Sequence, residues 1–306
     1  YNKISDEINS IDPDIDQYLF IIDNANEISN KNYIWDNIVN YYGLEKAKKI
    51  MPNSYLTYRK EDLDRLRNEY SAEKLYIMKK NIQRQEGLKI TNDFTELSGA
   101  YENDYVIIQE LLQDPYLIKG RKINMRFYIL VCCRHNDVSV LVHNNGFMYY
   151  TAALFIKNSK ESGPNITTGY VEREVYESSP LSHMEFRKYL DSNRKLSKIE
   201  RKVAKTNVLS KYVFDNIYLT LKEIMMSIKN IVCNKRELKK RVTFQLFGAD
   251  IAVNKDLSIS LMEINKGPDL GYKDDKDAAI KKKVIYDMFG TLNIVPEHDN
   301  GFIELF

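Results

Sequence analysis

The chain has 306 residues, of which 43% are hydrophobic and 29% charged, and its formal net charge is +2. This length can bury a substantial core and divide into two or three subdomains, and the composition is typical of a soluble globular protein. The near-neutral charge removes any global attraction to nucleic acid, and no apolar run is long enough to cross a bilayer. We therefore expect neither a nucleic-acid partner nor a membrane-spanning segment.

The cysteines indicate a reducing compartment. Cys132, Cys133 and Cys233 form an odd set without CxxC spacing, which argues against a disulfide framework or a zinc site. We expect three buried thiols in a cytoplasmic protein.

In chain order, the first 50 residues carry apolar patches without an interpretable motif. Later segments alternate between helical and strand patterns. They are a charged helix from residue 59, strands over 75–79, 88–90 and 105–112, a hairpin over 122–143, helices over 196–232, a hairpin over 244–265 and a helix over 277–289. Because no βαβ repeat dominates, we predict the α+β class with mixed and antiparallel sheets.

Lys79 ends a predicted strand, and the polar loop that follows it contains Arg84 and Gln85. A lysine there can reach an α- or β-phosphate while loop amides surround the triphosphate. The only glycine of the loop is Gly87, which limits close approach of the backbone to phosphate. A solvated lysine at a strand end is the alternative.

The segment Gln109–Leu112 ends an apolar strand with two polar side chains. Backbone amides of Glu110 onward could read an adenine edge, with Leu111 and Leu112 covering the ring. An ordinary core strand would have the same pattern.

Lys122, Asn124 and Arg126 alternate with apolar residues and therefore share one face of a predicted strand. Two cations and an amide backed by an apolar face suit an anionic ligand better than solvent. The basic runs 194–205, 235–241 and 281–283 could face an acidic partner, although solvated helix faces carry similar charges.

The hairpin over 244–265 is the most informative stretch. If its turn centres on 256–257, Asp250 lies opposite Glu263, and Asn265 shares the face of Glu263. Three oxygen-bearing side chains would then form one patch, as Mg²⁺ prefers. A register slip of one residue would scatter them over a solvated strand face.

Together these stretches resemble the tubulin–tyrosine ligase-like branch of the ATP-grasp ligases, over about residues 51–289. Six segments are similar to the family patterns Pro-x-Thr-Tyr-x-Leu, Trp-Ile-x-Lys-Pro, Gln-x-Tyr-Ile-x-x-Pro-x-Leu, Arg-Lys-Phe-Asp-Ile-Arg, His-Leu-Thr-Asn and Leu-x-Glu-x-Asn. They begin at Met51, Tyr76, Gln109, Arg121, Asn165 and Leu261. The resemblance implies an ATP-grasp fold with an N-terminal domain (1–72), a central subdomain (73–112) and a C-terminal catalytic domain (113–306).

The resemblance also implies roles for individual residues. The ATP-binding set is Lys79, Arg84, Gln85, Gln109, Glu110, Leu111, Leu112, Lys122, Asn124, Thr167 and Thr168. The Mg²⁺ ligands are Asp250, Glu263 and Asn265. Arg126 and Lys122 are catalytic, and the substrate-binding residues are Arg126, Tyr149 and Lys281.

The implied reaction joins an amino acid to a protein carboxylate through an acyl phosphate. Pro268, Leu270, Asp277 and Lys281 resemble a pattern of the glutamate-adding members, in which the final lysine meets the incoming side-chain carboxylate. Three solvated lysines at 281–283 would produce the same sequence pattern. We expect a monomer that acts in the cytoplasm, in association with the cytoskeleton, on a free amino acid and an acidic protein such as tubulin.

Three departures from the family pattern keep other functions open. Asn124 replaces an aspartate, Tyr149 replaces an arginine, and the loop through Gly87 is poor in glycine. The alternatives are a non-catalytic module that binds an acidic protein, a tyrosine-adding ligase and an ATP-grasp small-molecule kinase.

Overall fold

The computed structural model describes residues 18–82, 87–134, 137–168, 171–198, 201–202, 206–233 and 242–306. The strands are Tyr18–Leu19 (β1), Ser54–Leu56 (β2), Tyr76–Lys79 (β3), Leu88–Thr91 (β4), Ile107–Glu110 (β5), Leu117–Ile118 (β6), Arg121–Arg134 (β7), Asp137–His143 (β8), Phe147–Thr151 (β9), Thr167–Thr168 (β10), Val242–Val253 (β11), Ile259–Lys266 (β12) and Phe302–Glu304 (β13). The helices are Ala25–Ser29 (α1), Lys31–Tyr42 (α2), Leu44–Ile50 (α3), Lys60–Glu69 (α4), Phe94–Ser98 (α5), Ser162–Asn165 (α6), Glu174–Ser178 (α7), His183–Asn193 (α8), Leu209–Ile228 (α9) and Asp275–Thr291 (α10), with a 3₁₀ turn over Tyr101–Asn103.

Nine strands form the larger sheet, with the long strands β7 and β11 antiparallel at its centre. β12 flanks β11, β8 and β9 both pair with β7, and β1 joins β11 in parallel. Helices flank the sheet because each of its faces carries apolar side chains that must be covered. The predicted α+β class with mixed and antiparallel sheets is confirmed.

A smaller antiparallel sheet has the strand order β2-β5-β3-β4. Its strand β2 comes from the predicted N-terminal domain (1–72), and its other three strands come from the predicted central subdomain (73–112). The domain boundaries at residues 72 and 112 stay a prediction.

The two faces of β7 determine where the polar side chains lie. Phe127 packs against Phe214 of α9, with ring centroids 6.1 Å apart. Tyr128 and Leu130 point to the opposite face and belong to the apolar cluster that includes Val284 of α10. Alternation along the strand then places further side chains on the face toward α10, at the start of β7: Lys122, Asn124 and Arg126.

The expectation of three free thiols is wrong. Cys133 and Cys233 are joined by a disulfide, with Cα atoms 5.6 Å apart, and Cys132 is a free thiol whose pKa is raised by burial to about 12. The two bonded residues are 100 positions apart, so their proximity depends on how the chain beyond α9 returns to β7. Among the described helices, none has the length and apolarity required to span a membrane.

Candidate active site

The two sheets meet at a cavity of about 450 Å³ that gathers most of the predicted site residues. The predicted residues that line it are Lys79, Gln109, Glu110, Leu111, Lys122, Asn124, Arg126, Tyr149, Thr167, Thr168, Asp250, Glu263, Asn265 and Lys281. Leu112 lines a separate depression, and Arg84 and Gln85 lie outside the described residues.

The β11–β12 hairpin has the predicted pairing at Asp250 but not the predicted turn, because Val253 pairs with Ile259 and a β-bulge between Asp250 and Ile251 shifts the register. Asp250 pairs directly with Glu263, and the Asn265 amide donates a hydrogen bond to Glu263 Oε1 at 3.0 Å. The three oxygen-bearing side chains therefore lie on one patch. Among the described residues no group of three His, Cys, Asp or Glu side chains is placed to hold a metal ion, because the third member of this patch is an amide.

Arg126 occupies both carboxylate oxygens of Asp250. It lies opposite Asp250 across β7 and β11, and its Nε and one terminal nitrogen donate to Oδ1 and Oδ2 at 2.6 and 2.9 Å. Burial raises the pKa of Asp250, and Arg126 opposes that rise. A Cβ at Gly248 would lie 2.9 Å from Arg126 Cδ, so a glycine on β11 leaves room for the arginine stem.

Tyr149 packs against this ion pair. It lies opposite Asn124 on β9, and the Arg126 guanidinium carbon is 5.0 Å from the centroid of its ring. Burial raises the pKa of Tyr149 to about 12 despite the nearby arginine, so the phenol is neutral at physiological pH. The neutral ring contributes a cation–π contact where the family pattern has a second cation.

Two buried lysines face the same cavity. Lys79 Nζ donates to the Met262 carbonyl at 3.4 Å, and burial lowers its pKa to about 8, with Glu263 opposing the shift. Burial and the charge of Lys79 lower the pKa of Lys122 to about 8 as well. Such desolvated cations gain most from an anionic ligand.

The small sheet supplies an apolar end to the cavity. Its lining there is formed by Ile77, Leu88, Leu111 and Ile166. Two amides predicted to read a base are already engaged, because the N–H groups of Glu110 and Leu111 donate to the carbonyls of Asn53 and Leu75 at 2.9 and 2.8 Å.

Other polar groups also line the cavity. Thr167 and Thr168 form β10 against Thr151 and Tyr150 of β9. The Oδ1 atom of Asn124 is buried and has no hydrogen-bond partner among the described residues. A buried orphan acceptor carries a free-energy cost, which a ligand donor would relieve.

Lys281 is buried, unlike its neighbour Lys282, which is exposed. Its Nζ donates to the Gly271 carbonyl, lies 3.2 Å from Asp277 Oδ1 and lies 5.2 Å from the Phe147 ring centroid. The solvated-lysine alternative therefore does not apply to Lys281.

Sequence reasoning missed three cations of the cavity, Lys31, Arg173 and Lys273. Lys31, at the start of α2, places Nζ 3.8 Å from Glu263 Oε2, and Arg173 forms an ion pair with Asp274. Burial would raise the pKa of Glu263, but Lys31 and Lys79 bring it below its ordinary value. An isolated lysine at a helix start carries no sequence signal for such a role.

Three relatives of this chain carry the name tubulin polyglutamylase. The chain is 25% identical over 198 residues to the "Probable tubulin polyglutamylase ttll-9" of Caenorhabditis elegans, an alignment that covers 64% of this chain and 44% of the relative. It is 24% identical over 204 residues to the "Tubulin polyglutamylase TTLL7" of Homo sapiens, covering 62% and 22%. It is 22% identical over 286 residues to the "Tubulin polyglutamylase ttll-5" of Caenorhabditis elegans, covering 88% and 37%.

The matched part of this chain thus spans less than half the length of these relatives. The model of the "Tubulin-tyrosine ligase family" matches residues 9–301, which is most of the chain. This match confirms the ATP-grasp-like fold class. The chain belongs to the tubulin–tyrosine ligase family.

Proposed function

We propose that this chain is an ATP-dependent ligase that joins an amino acid, glutamate, to a carboxylate of an acidic protein such as tubulin. The observation that carries the proposal is the convergence of two sheets on one cavity with an apolar end and a cationic, oxygen-rich end. An apolar slot suits a nucleotide base, and buried lysines suit phosphates.

In this proposal ATP lies along the cavity. Gln109 and Leu111 bind the base, while Lys79 and Lys122 bind the phosphates, and the pKa of both lysines rises beside an anion. Thr167 and Thr168 contact the sugar–phosphate region, and Asn124 offers its unpaired amide oxygen.

Asp250, Glu263 and Asn265 form a donor set that fits Mg²⁺, since all three offer oxygens from one patch. Bound Mg²⁺ supplies neutralisation of phosphate charge. Each Asp250 oxygen keeps a second lone pair beside its hydrogen bond to Arg126, so this carboxylate can act as a ligand while the ion pair stays in place. Arg126 also lines the cavity and can hold a carboxylate or a phosphate.

Two steps complete the reaction. The acceptor carboxylate attacks the γ-phosphorus of ATP, so that an acyl phosphate forms and ADP leaves. The amine of the amino acid then attacks the acyl carbon, and inorganic phosphate leaves as the amide bond forms. Arg126 and Lys122 offset the charges, and positioning supplies much of the remaining acceleration.

Lys281 supports glutamate as the added amino acid, together with the names of the relatives. Its buried ammonium lines the cavity and can exchange Asp277 for the side-chain carboxylate of the substrate. We expect Lys281→Met to lower glutamate incorporation at least tenfold, equivalent to about 1.4 kcal/mol. The exposed neighbour variant Lys282→Met should leave incorporation within twofold, with melting temperatures reported for both.

An acidic acceptor is consistent with the excess of lysine and arginine around the cavity. The run 235–241 and residues 199–200 and 203–205 of the run 194–205 lie outside the described residues, so their contribution stays a prediction. The proposal also includes that the protein is a monomer and acts in the cytoplasm near the cytoskeleton.

Incubation with Mg-ATP, tubulin and each labelled amino acid tests the whole proposal. Incorporation of glutamate supports it, and incorporation of tyrosine identifies the tyrosine-adding activity instead. ATP consumption without incorporation into protein, but with a phosphorylated small molecule, identifies a kinase.

The second candidate is a non-catalytic module that binds an acidic protein. The engagement of both Asp250 oxygens by Arg126 and the neutral Tyr149 favour it. If the chain binds tubulin but shows neither Mg-dependent ATP binding nor amino-acid incorporation, the ligase proposal is wrong and the non-catalytic module is supported.

A further inference from the structure

One polar side chain reaches the apolar end of the cavity from β5. Gln109 pairs with Ile77 across β3 and β5, shares a strand face with Leu111, and lines the cavity together with both. The side chain is 2% exposed, so its amide has to find partners in the protein or in a ligand.

A chain of hydrogen bonds sets the direction of this amide. The Ser54 hydroxyl donates to the Pro52 carbonyl at 2.6 Å, and the Gln109 amide nitrogen lies 2.8 Å from Ser54 Oγ. A serine hydroxyl has one proton, which the Pro52 carbonyl already takes. Ser54 Oγ can therefore only accept from Gln109, and the nitrogen, not the oxygen, has to face the serine.

The amide oxygen of Gln109 then faces away from Ser54 and is available to a ligand in the cavity, and the direction of the second N–H is fixed with it. Ser54 is fully buried on β2, directly opposite Gln109 on β5, so neither side chain can move away without disturbing the small sheet. The apolar end consequently presents an acceptor at this point.

We propose that Ser54 is a positioning residue that makes the cavity select 6-aminopurine over 6-oxopurine nucleotides. The inference rests on the proposed nucleotide site and adds the residue that sets its base preference. A 6-amino group donates to the Gln109 oxygen. A 6-oxo group at the same place opposes one acceptor with another and leaves both unpaired.

The test measures dissociation constants of Mg-ATP and Mg-inosine triphosphate by competition with a fluorescent nucleotide. For the unaltered chain we expect ATP to bind about 10- to 100-fold more tightly, the range for one unpaired buried group. Ser54→Ala frees the Gln109 amide to rotate and donate to a 6-oxo group, so the ratio should fall about tenfold. Ser54→Thr keeps the hydroxyl and should keep the ratio.

Thr57→Ala is the matched control. The Thr57 hydroxyl is also buried beside β2 and donates to the Tyr105 carbonyl at 2.5 Å, and it makes no hydrogen bond to Gln109. Its loss should alter stability while leaving the nucleotide ratio unchanged. A purely structural role of Ser54 would weaken both nucleotides equally.

Each outcome decides the matter. An unchanged ratio in folded Ser54→Ala overturns the role of Ser54. Should that variant not fold, Gln109→Met has to bring the two affinities together, and a surviving ATP preference overturns the inference. Equal affinities in the unaltered chain overturn the inference while the ATP site stands, whereas no Mg-dependent nucleotide binding overturns both.

Discussion

The two ends of the cavity are built by opposite means. The small sheet offers an end lined by aliphatic side chains, whereas the β7–β11–β12 part of the large sheet offers buried charges. At the apolar end each side chain contributes nearly independently, through the area it removes from water. At the charged end no group can be changed alone, because each buried charge has its free energy set by a neighbour.

We therefore expect substitutions at the charged end to have large, coupled effects on stability, and substitutions at the apolar end to have small, local effects. Variants at each end can therefore separate binding of the base from binding of the phosphates.

Removal of Arg126 should have the largest effect. Arg126→Met leaves Asp250 buried without its partner, and we expect a loss of about 3–5 kcal/mol in the free energy of unfolding, measured by urea denaturation. The double variant Arg126→Met/Asp250→Leu should recover most of this loss because no charge then stays unpaired.

Arg59→Met provides the control for that prediction. Arg59 makes an equally bidentate pair with Asp36, at 2.8 Å for both hydrogen bonds, but these side chains are 35% and 23% exposed compared with 10% each for Arg126 and Asp250. Solvent screening should limit its loss to about 1 kcal/mol. Equal losses for the two arginine variants would contradict the distinction between the ends.

Lys122→Met should act in the opposite direction. Burial lowers the pKa of Lys122 from 10.5 to about 8, so the protonated lysine costs stability at neutral pH. Because the unfolded chain keeps this proton up to about pH 10.5, the cost is full below pH 8 and disappears as pH rises between these values. At pH 7 Lys122→Met should raise the free energy of unfolding by about 3 kcal/mol. Between pH 8 and 10 the unaltered chain should become more stable, whereas the variant should not.

Urea denaturation across this pH range checks the effect, with Lys74→Met as the control. Lys74 is exposed and pairs with Glu110, which raises its pKa. A pH dependence shared by both variants would rule out burial as the cause.

Leu111→Ala tests the apolar end. It removes a side chain that is 7% exposed, and we expect a cost of about 2 kcal/mol, the low end for such a substitution beside an open cavity. ATP affinity should fall, whereas affinity for inorganic tripolyphosphate should not change, since that ligand has no base. Lys79→Met should weaken both ligands, and calorimetric titration distinguishes the two patterns.

Tyr149 should give the smallest effect. Tyr149→Phe keeps the ring beside Arg126 and should change stability by less than about 0.5 kcal/mol. Below pH 10 its pH profile should match that of the unaltered chain, because the pKa of the phenol is about 12. Tyr149→Leu removes the cation–π contact and should cost about 1 kcal/mol. A large loss from the phenylalanine variant would assign a role to the hydroxyl.

The charged end was the more predictable of the two. Alternation along a strand placed Lys122, Asn124 and Arg126 on one face, as the structure has them. The pairing of Asp250 with Glu263 was predicted from a turn centred on 256–257; the structure has the pairing but not that turn, because Val253 pairs with Ile259 and a β-bulge after Asp250 shifts the register. Periodicity of two is a local property, so a single sequence is enough to read it.

Contacts between distant segments were not predictable in this way. The Arg126–Asp250 pair joins residues 124 positions apart, and the Lys31–Glu263 pair begins in a region without any motif. The same applies to the disulfide, which the count and spacing of the cysteines argued against.

The sequence by itself determined the fold class, the family resemblance and the faces on which polar side chains lie, because these follow from composition and short-range periodicity. Only the tertiary structure decided that Arg126 donates hydrogen bonds to both oxygens of Asp250, that Lys281 is buried, and that the Gln109 amide donates to Ser54. These features depend on which strands become neighbours. Strand pairing is a property of the whole chain, since it depends on the burial that all the elements achieve together.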